Sequence, residues 1–341
     1  MKKYFFLCFV TFWGCVFPRN NESMNNEDNE SSISETDIWV PIIENQYDFL
    51  VVSGTINNTV CNIMIDTGGN ESGAILMDSA FFYSTMDTTG LVLEKQEEGF
   101  SLEFACYTGE MNVKIGEMNF LAKEIAIFKH QFSHFKGGDF VHNAIIGKLY
   151  YDKVLSVDFD ENKLAFSDSL IIDTIDYNKI TMYPPKLTGS KDDKMNKIKQ
   201  HEKYIEVGGF INKQGKSIAG RFLFDTGCKR PLILKSDFGK KLKKPENYIK
   251  WADPKDNNEG MWEWKADSLK IGGISISNVQ VDQSVLGSHP HYFWLFMLEG
   301  GDGLMGMELL KRFNFMADFK NNILYLKPSK HYHDFGDKQI E

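Results

Sequence analysis

Two carboxylates stand out because each ends an apolar run and opens a tight turn. Asp66-Thr67-Gly68 follows Ile63-Met64-Ile65, and Asp225-Thr226-Gly227 follows Phe222-Leu223-Phe224. An apolar strand that delivers an Asp into a Thr-Gly turn puts the carboxylate at the end of a buried strand. Glycine lets another backbone approach closely, or takes a φ that other residues avoid. The threonine hydroxyl can hydrogen-bond across to a partner turn. Two such turns meeting about a pseudo-two-fold axis bring their carboxylates into contact. Like charges at about 3 Å do not both ionise easily, so the pair holds one proton between them. One member is then an acid and the other a base. A water between them can be deprotonated for attack on a carbonyl that the protonated carboxyl polarises.

The elements that must position these turns are written twice. Ile145-Ile146-Gly147 lies downstream of the first turn, and Leu304-Met305-Gly306 downstream of the second. Positions 66 and 225 are 159 apart, as are 147 and 306, so each half keeps the same spacing of 81 from Asp to Gly. Val113-Lys114-Ile115-Gly116 aligns with Leu269-Lys270-Ile271-Gly272. After each later Gly come an amphipathic turn and a strand: Val157-Asp158-Phe159 through Phe166, and Ala317-Asp318-Phe319 through Leu326. Short β-rich runs bounded by Gly, Asn and Asp fill both copies, and helical periodicity is scarce, which is a hairpin-rich all-β pattern.

The chain has 341 residues, a length suited to about two domains. Its 38 Lys and Arg against 47 Asp and Glu leave a net charge of −9, which excludes general nucleic-acid affinity. With 42% apolar residues it can bury a sizeable core. Five cysteines are too few for a disulfide scaffold at this size.

Residues 46–166 and 203–327 resemble the two lobes of an aspartic peptidase of the pepsin and retropepsin kind, in which apolar-apolar-Asp-Thr-Gly is followed by apolar-apolar-Gly. Asp302-Gly303-Leu304-Met305-Gly306 is an especially close match, and Met307 to Phe313 reads as the helix after it. The resemblance implies an all-β, bilobal acid-protease fold: two homologous β-barrel-like lobes, each with a short helix after its apolar-apolar-Gly motif. It implies an aspartic endopeptidase with Asp66 and Asp225 as the dyad, supported by Thr67, Gly68, Thr226 and Gly227. It also implies a peptide or protein substrate and neither metal nor organic cofactor. Tyr107-Thr108-Gly109 stands where the family's flap tip is expected, and a Tyr packed in a hairpin is the alternative. Trp262 and Trp264 either line the cleft or pack. Larger two-lobed peptidases place Ser or Thr directly after Asp-Thr-Gly, whereas this chain has Gly69 and Cys228. These small residues and the compact halves suit a bacterial, fused retropepsin-like enzyme acting as a monomer. A non-catalytic peptide- or protein-binding module on the same fold is the alternative.

The expected organisation is a signal peptide over 1–15, a flexible tether over 16–37, an N-terminal lobe over 38–170, a linker over 171–202, a C-terminal lobe over 203–328 and a tail over 329–341. Lys2 and Lys3 precede an apolar run from Tyr4 to Phe17, too short to span a bilayer but suited to export. Gly14-Cys15 resembles a lipoprotein cleavage site, which would place the protein in the cell envelope on a lipid anchor at Cys15. Residues 19–37 are Asn-, Glu- and Ser-rich and lack the apolar surface that ordering requires. His289-Pro290-His291 and His331-Tyr332-His333 read as loop and tail histidines rather than metal ligands. Cys228 reads as a buried filler, and a Cys61–Cys106 disulfide is left open.

Overall fold

The structure is a computed structural model, and it describes residues 38–46, 48–69, 74–99, 102–128, 142–184, 202–252, 259–285 and 301–333. The expected signal peptide and tether, His289-Pro290-His291 and linker residues 185–201 lie outside these residues. In the first half the strands are β1 (Val40–Pro41), β2 (Val51–Ile56), β3 (Thr59–Ile65), β4 (Ala74–Asp78), β5 (Val92–Gly99), β6 (Leu102–Ile115), β7 (Met118–Phe128), β8 (Ala144–Ile146), β9 (Val154–Asp158) and β10 (Lys163–Ser167). In the second they are β11 (Asn178–Thr181), β12 (Tyr204–Ile211), β13 (Ser217–Phe224), β14 (Leu232–Leu234), β15 (Ile249–Ala252), β16 (Glu259–Ile271), β17 (Ile274–Ser284), β18 (Gly303–Met305), β19 (Phe313–Asp318) and β20 (Ile323–Pro328).

The two halves have one topology. The first sheet runs β2-β3-β8-β4-β7-β6-β5 and the second β12-β13-β18-β14-β17-β16-β15. Each closes into a six-stranded barrel, through Ile56 opposite Val113 and through Val207 opposite Ile271. β5 and β15 lie outside the closure as hairpin partners of β6 and β16. Asn57 and Asn58, both at positive φ, make the tight turn that folds β2 onto β3. The strands that carry the aspartates start half exposed and end buried: Ile63, Met64 and Ile65 are sealed, as are Phe222, Leu223 and Phe224. That gradient follows the sequence, where alternation gives way to three consecutive apolar residues.

A third sheet joins the halves, in the order β1-β10-β9-β19-β20-β11. At its centre Val157 faces Phe315 and Ser156 faces Met316. Here the halves are offset by 160, as Asp158 and Asp318 show, so Ser156 faces its own equivalent Met316, the Val157–Phe315 and Leu155–Ala317 pairs interchange, and a pseudo-two-fold axis passes through the Ser156–Met316 pair. β11 corrects the expected linker: Asn178–Thr181 pairs with Ile323–Leu326 just as β1 pairs with β10. These residues are the second half's counterpart of β1, not a spacer. Helix is confined to short pieces, among them α1 (Ser79–Thr85), capped by the Asp78 carboxylate on Phe81 N–H, and α2 (Ser236–Gly239). The turn expected after each Gly is a 3-10 turn over Lys148–Tyr150 in the first copy and α3 (Met307–Leu310) in the second. One apolar core extends through both lobes.

Candidate active site

β8 lies between β3 and β4, parallel to β3, and β18 repeats this between β13 and β14. The Asp66 N–H donates to Ile146 O at 2.9 Å and the Asp225 N–H to Met305 O at 3.0 Å. The apolar-apolar-Gly strands therefore fix where the aspartates leave their barrels. A Cβ on Gly306 would overlap the carbonyl oxygens of Cys228 and Arg230, so only glycine lets this strand pack behind the second loop.

The two loops then clasp each other. The Thr67 hydroxyl donates to Phe224 O at 2.7 Å, and the Thr226 hydroxyl to Ile65 O at 2.7 Å. Each hydroxyl also accepts the other threonine's N–H, at 3.0 Å both ways. All four bonds are buried and obey the pseudo-two-fold relation. The clasp brings the Asp66 and Asp225 carboxylates into hydrogen-bond contact. Each accepts an N–H from its own loop: Gly68 N to Asp66 Oδ1 at 3.0 Å, and Gly227 N to Asp225 Oδ1 at 2.8 Å. A Cβ on Gly68 would lie 2.6 Å from Asp225 Oδ1, and a Cβ on Gly227 would overlap the Asp66 carboxylate. Each glycine thus makes room for the opposite lobe's acid. Gly69 has the same constraint, since a Cβ there would come within 2.5 Å of Asp66 Oδ2.

Asp66 is 2% exposed and Asp225 3%. Burial raises the Asp66 pKa to about 6, against the lowering effect of the Asp225 hydrogen bond, the Gly68 and Gly69 amides and the Lys148 charge. A coupled pair of this kind titrates as a unit and holds one proton across mildly acidic pH.

The first lobe adds Lys148, Tyr150 and Tyr151 immediately behind the dyad. The Tyr151 hydroxyl donates to Thr67 O at 2.6 Å, and burial pushes both phenols well above their ordinary pKa. In the second lobe Arg230 bonds the sealed Asp282 through Nε at 2.5 Å and Nη2 at 2.9 Å, and Glu263 at 3.1 Å. This network ties the loop exit to β16 and β17. Neither group was singled out from the sequence. A Lys and two Tyr standing where the second copy has Met307, Leu309 and Leu310 are the available signal for the first.

The flap expectation is corrected. Tyr107-Thr108-Gly109 lies inside β6, with Tyr107 opposite Leu93 and Thr108 opposite Val92. The β5–β6 pairing continues beyond Tyr107 as far as Gly99 opposite Leu102, so Tyr107-Thr108-Gly109 is not at the end of the hairpin. Gly109, at φ +153°, marks an irregularity where the β6–β7 register shifts between Thr108 and Met111. Tyr107 packs against Phe82, and its hydroxyl is 3.5 Å from that of Tyr83. That contact and burial push its pKa up to about 12.

Trp264 packs against the core, and Trp262 lies against Tyr248 with centroids 4.9 Å apart and planes tilted by 44°. Cys61, Cys106 and Cys228 are buried and not disulfide-bonded, so the bridge left open is not formed. Cys228 fills a small cluster with Leu223, Ile233 and Leu304. Among the described residues no three His, Cys, Asp or Glu side chains are grouped to hold a metal, and no helix is long and apolar enough to cross a membrane.

No protein-family profile and no curated protein matches the chain. Among solved structures it is similar to the crystal structure of an aspartic proteinase from Irpex lacteus, with a TM-score of 0.51 and 18% sequence identity over 88% of this chain and 99% of that one. At that identity the likeness establishes the bilobal aspartic-protease fold.

Proposed function

We propose that this protein is an aspartic endopeptidase that hydrolyses peptide bonds with the Asp66–Asp225 pair. The supporting observation is that two buried carboxylates from equivalent loops touch across the pseudo-two-fold axis, each held by a glycine N–H. In this reading the singly protonated pair binds the attacking water. The ionised oxygen takes its proton as the protonated carboxyl donates to the substrate carbonyl, and a neutral gem-diol forms. Return of a proton to the leaving nitrogen breaks the C–N bond. The peptide lies extended in the cleft, held largely through its backbone. The small residues at 69 and 228 favour a fused retropepsin-like enzyme of bacterial kind.

Peptide-library cleavage by the full chain from acid to neutral pH tests the reading. Asp66→Asn and Asp225→Asn should each abolish cleavage, and equal activity of wild type and Asp66→Asn overturns it. A transition-state mimic of the statine type should bind the wild type and not the variants, which separates an enzyme from a binding module.

The same proposal places the protein in the cell envelope, exported by residues 1–15 and anchored through Cys15. Loss of labelled-palmitate incorporation in Cys15→Ser is the check.

A further inference from the structure

Within the peptidase reading, on which this inference rests, the two aspartates are not held alike. Tyr151 donates its hydroxyl to Thr67 O at 2.6 Å. That carbonyl belongs to the Thr67–Gly68 peptide, whose N–H donates to Asp66 Oδ1. The three groups form one chain, from phenol through peptide to carboxylate. A peptide whose oxygen accepts a strong hydrogen bond is a better donor at its nitrogen, because the two bonds polarise each other. The Tyr151 ring is clamped by Phe319 of the other lobe, with centroids 4.3 Å apart and planes 6° from parallel. Its hydroxyl therefore has a fixed aim. The equivalent peptide of the second loop also donates to its aspartate, from Gly227 to Asp225. The residue equivalent to Tyr151 there is Leu310, which has no donor.

We propose that Tyr151 is a positioning residue that favours the ionised form of the Asp66–Asp225 pair through the Thr67–Gly68 peptide. The charged and titratable groups around it act in known directions. Lys148 assists ionisation of Asp66. Asp66, Glu202, Asp225 and the neighbouring Tyr150 face the Tyr151 phenol or the dyad. Lys203 Nζ lies 6.0 Å from the Tyr151 ring centre and bonds Asn322 Oδ1 at 2.5 Å. With the phenol held well above its usual range by burial, Tyr151 remains a donor wherever the dyad titrates.

The test is Tyr151→Phe in the full chain, which keeps the ring on Phe319 and removes the hydroxyl. The expected result is a fall in kcat of about tenfold at unchanged KM, with the acid limb of the kcat/KM profile moving up by about half a pH unit. Leu310→Met, a change in the counterpart position that adds no donor, should leave that limb in place. A second arm needs no activity: the pH dependence of urea midpoints for wild type, Tyr151→Phe, Asp66→Asn and the double variant. The shift caused by Tyr151→Phe should vanish in the Asp66→Asn background. A limb and a midpoint profile unmoved by Tyr151→Phe, or a shift that persists without the Asp66 carboxyl, overturns the proposal. An inactive wild type with coupled midpoints overturns the peptidase reading and leaves the Tyr151–Asp66 linkage standing.

Discussion

The two lobes share strand order, the threonine clasp and the glycines that admit each other's carboxylate, yet they are braced differently. The first loop is held from behind by the hydroxyl of Tyr151. The second is held at its exit by Arg230, bound to two strands of its own barrel through Asp282 and Glu263. Ala126 pairs with Leu76 as Asp282 pairs with Ile233, so the first lobe has an alanine at the position equivalent to Asp282. Symmetry is therefore kept where the two halves must act on one proton and dropped where each has only to hold its own loop. That division follows from energetics. A dyad needs both carboxylates in contact, which the two-fold clasp supplies with four buried hydrogen bonds. Bracing can be supplied by a neutral donor or by an ion pair, provided no buried group is left unsatisfied.

Substitutions can break this comparison in order of size. Asp66→Asn and Asp225→Asn should be equivalent, each lowering kcat by about a thousandfold or more while the thermal midpoint changes little. A large difference between them would mean that only one carboxylate takes part. Arg230→Ala comes next and should affect stability first. Asp282 is sealed, and burial already raises its pKa despite the guanidinium. Removing Arg230 should cost about 3–5 kcal/mol in urea unfolding, with partial recovery on acidification as the stranded carboxyl takes up a proton. Thr67→Val and Thr226→Val should each cost about 1–3 kcal/mol, because each strands a buried carbonyl of the opposite lobe. Their near equality would confirm that the clasp is shared evenly, and the double variant should show strong non-additivity.

The smallest effect again separates the lobes. His142 is buried, where the second lobe has Gly301, and burial depresses its pKa to about 3. An unfolded histidine titrates near 6.5, so between about 6.5 and 3 the unfolded chain binds the extra proton. Stability from this group is complete above that window and is lost as pH falls through it. Asp66 has the opposite sign. Its raised pKa contributes below about 4 and that contribution is lost as pH rises through about 6. At about pH 5.5, His142→Leu should remove about 1 kcal/mol of acid destabilisation. Hydrogen exchange should show the first lobe opening before the second in acid, and more nearly together in the variant.

The dyad was legible because its determinants are local and duplicated: an apolar strand, three turn residues and a second motif in fixed register. The interlobe sheet was not, because no local pattern says that Val157 will meet Phe315. Asn178–Thr181 is too short and too polar to announce itself as a strand. Gly109 misled for a physical reason: a glycine that permits an irregularity inside β6 has the same composition as one that permits a turn. At Gly69 the residue type was legible but its reason was not: a Cβ there would overlap the Asp66 carboxylate. Tyr151 and Arg230 act on partners far away in sequence, 84 and 52 residues off, which spacing alone does not reveal.

The central pairing of β9 with β19 has a consequence for assembly. Val157 on Phe315 and Ser156 on Met316 is the arrangement that a half-length polypeptide would make with a second copy of itself, each segment meeting its own twin about a dyad axis. The covalent join between the halves does not create that contact; it raises the local concentration of one half near the other. A chain cut within 171–177, ahead of β11, should therefore reassemble from its two fragments as a non-covalent heterodimer, and dilution rather than denaturant should take it apart.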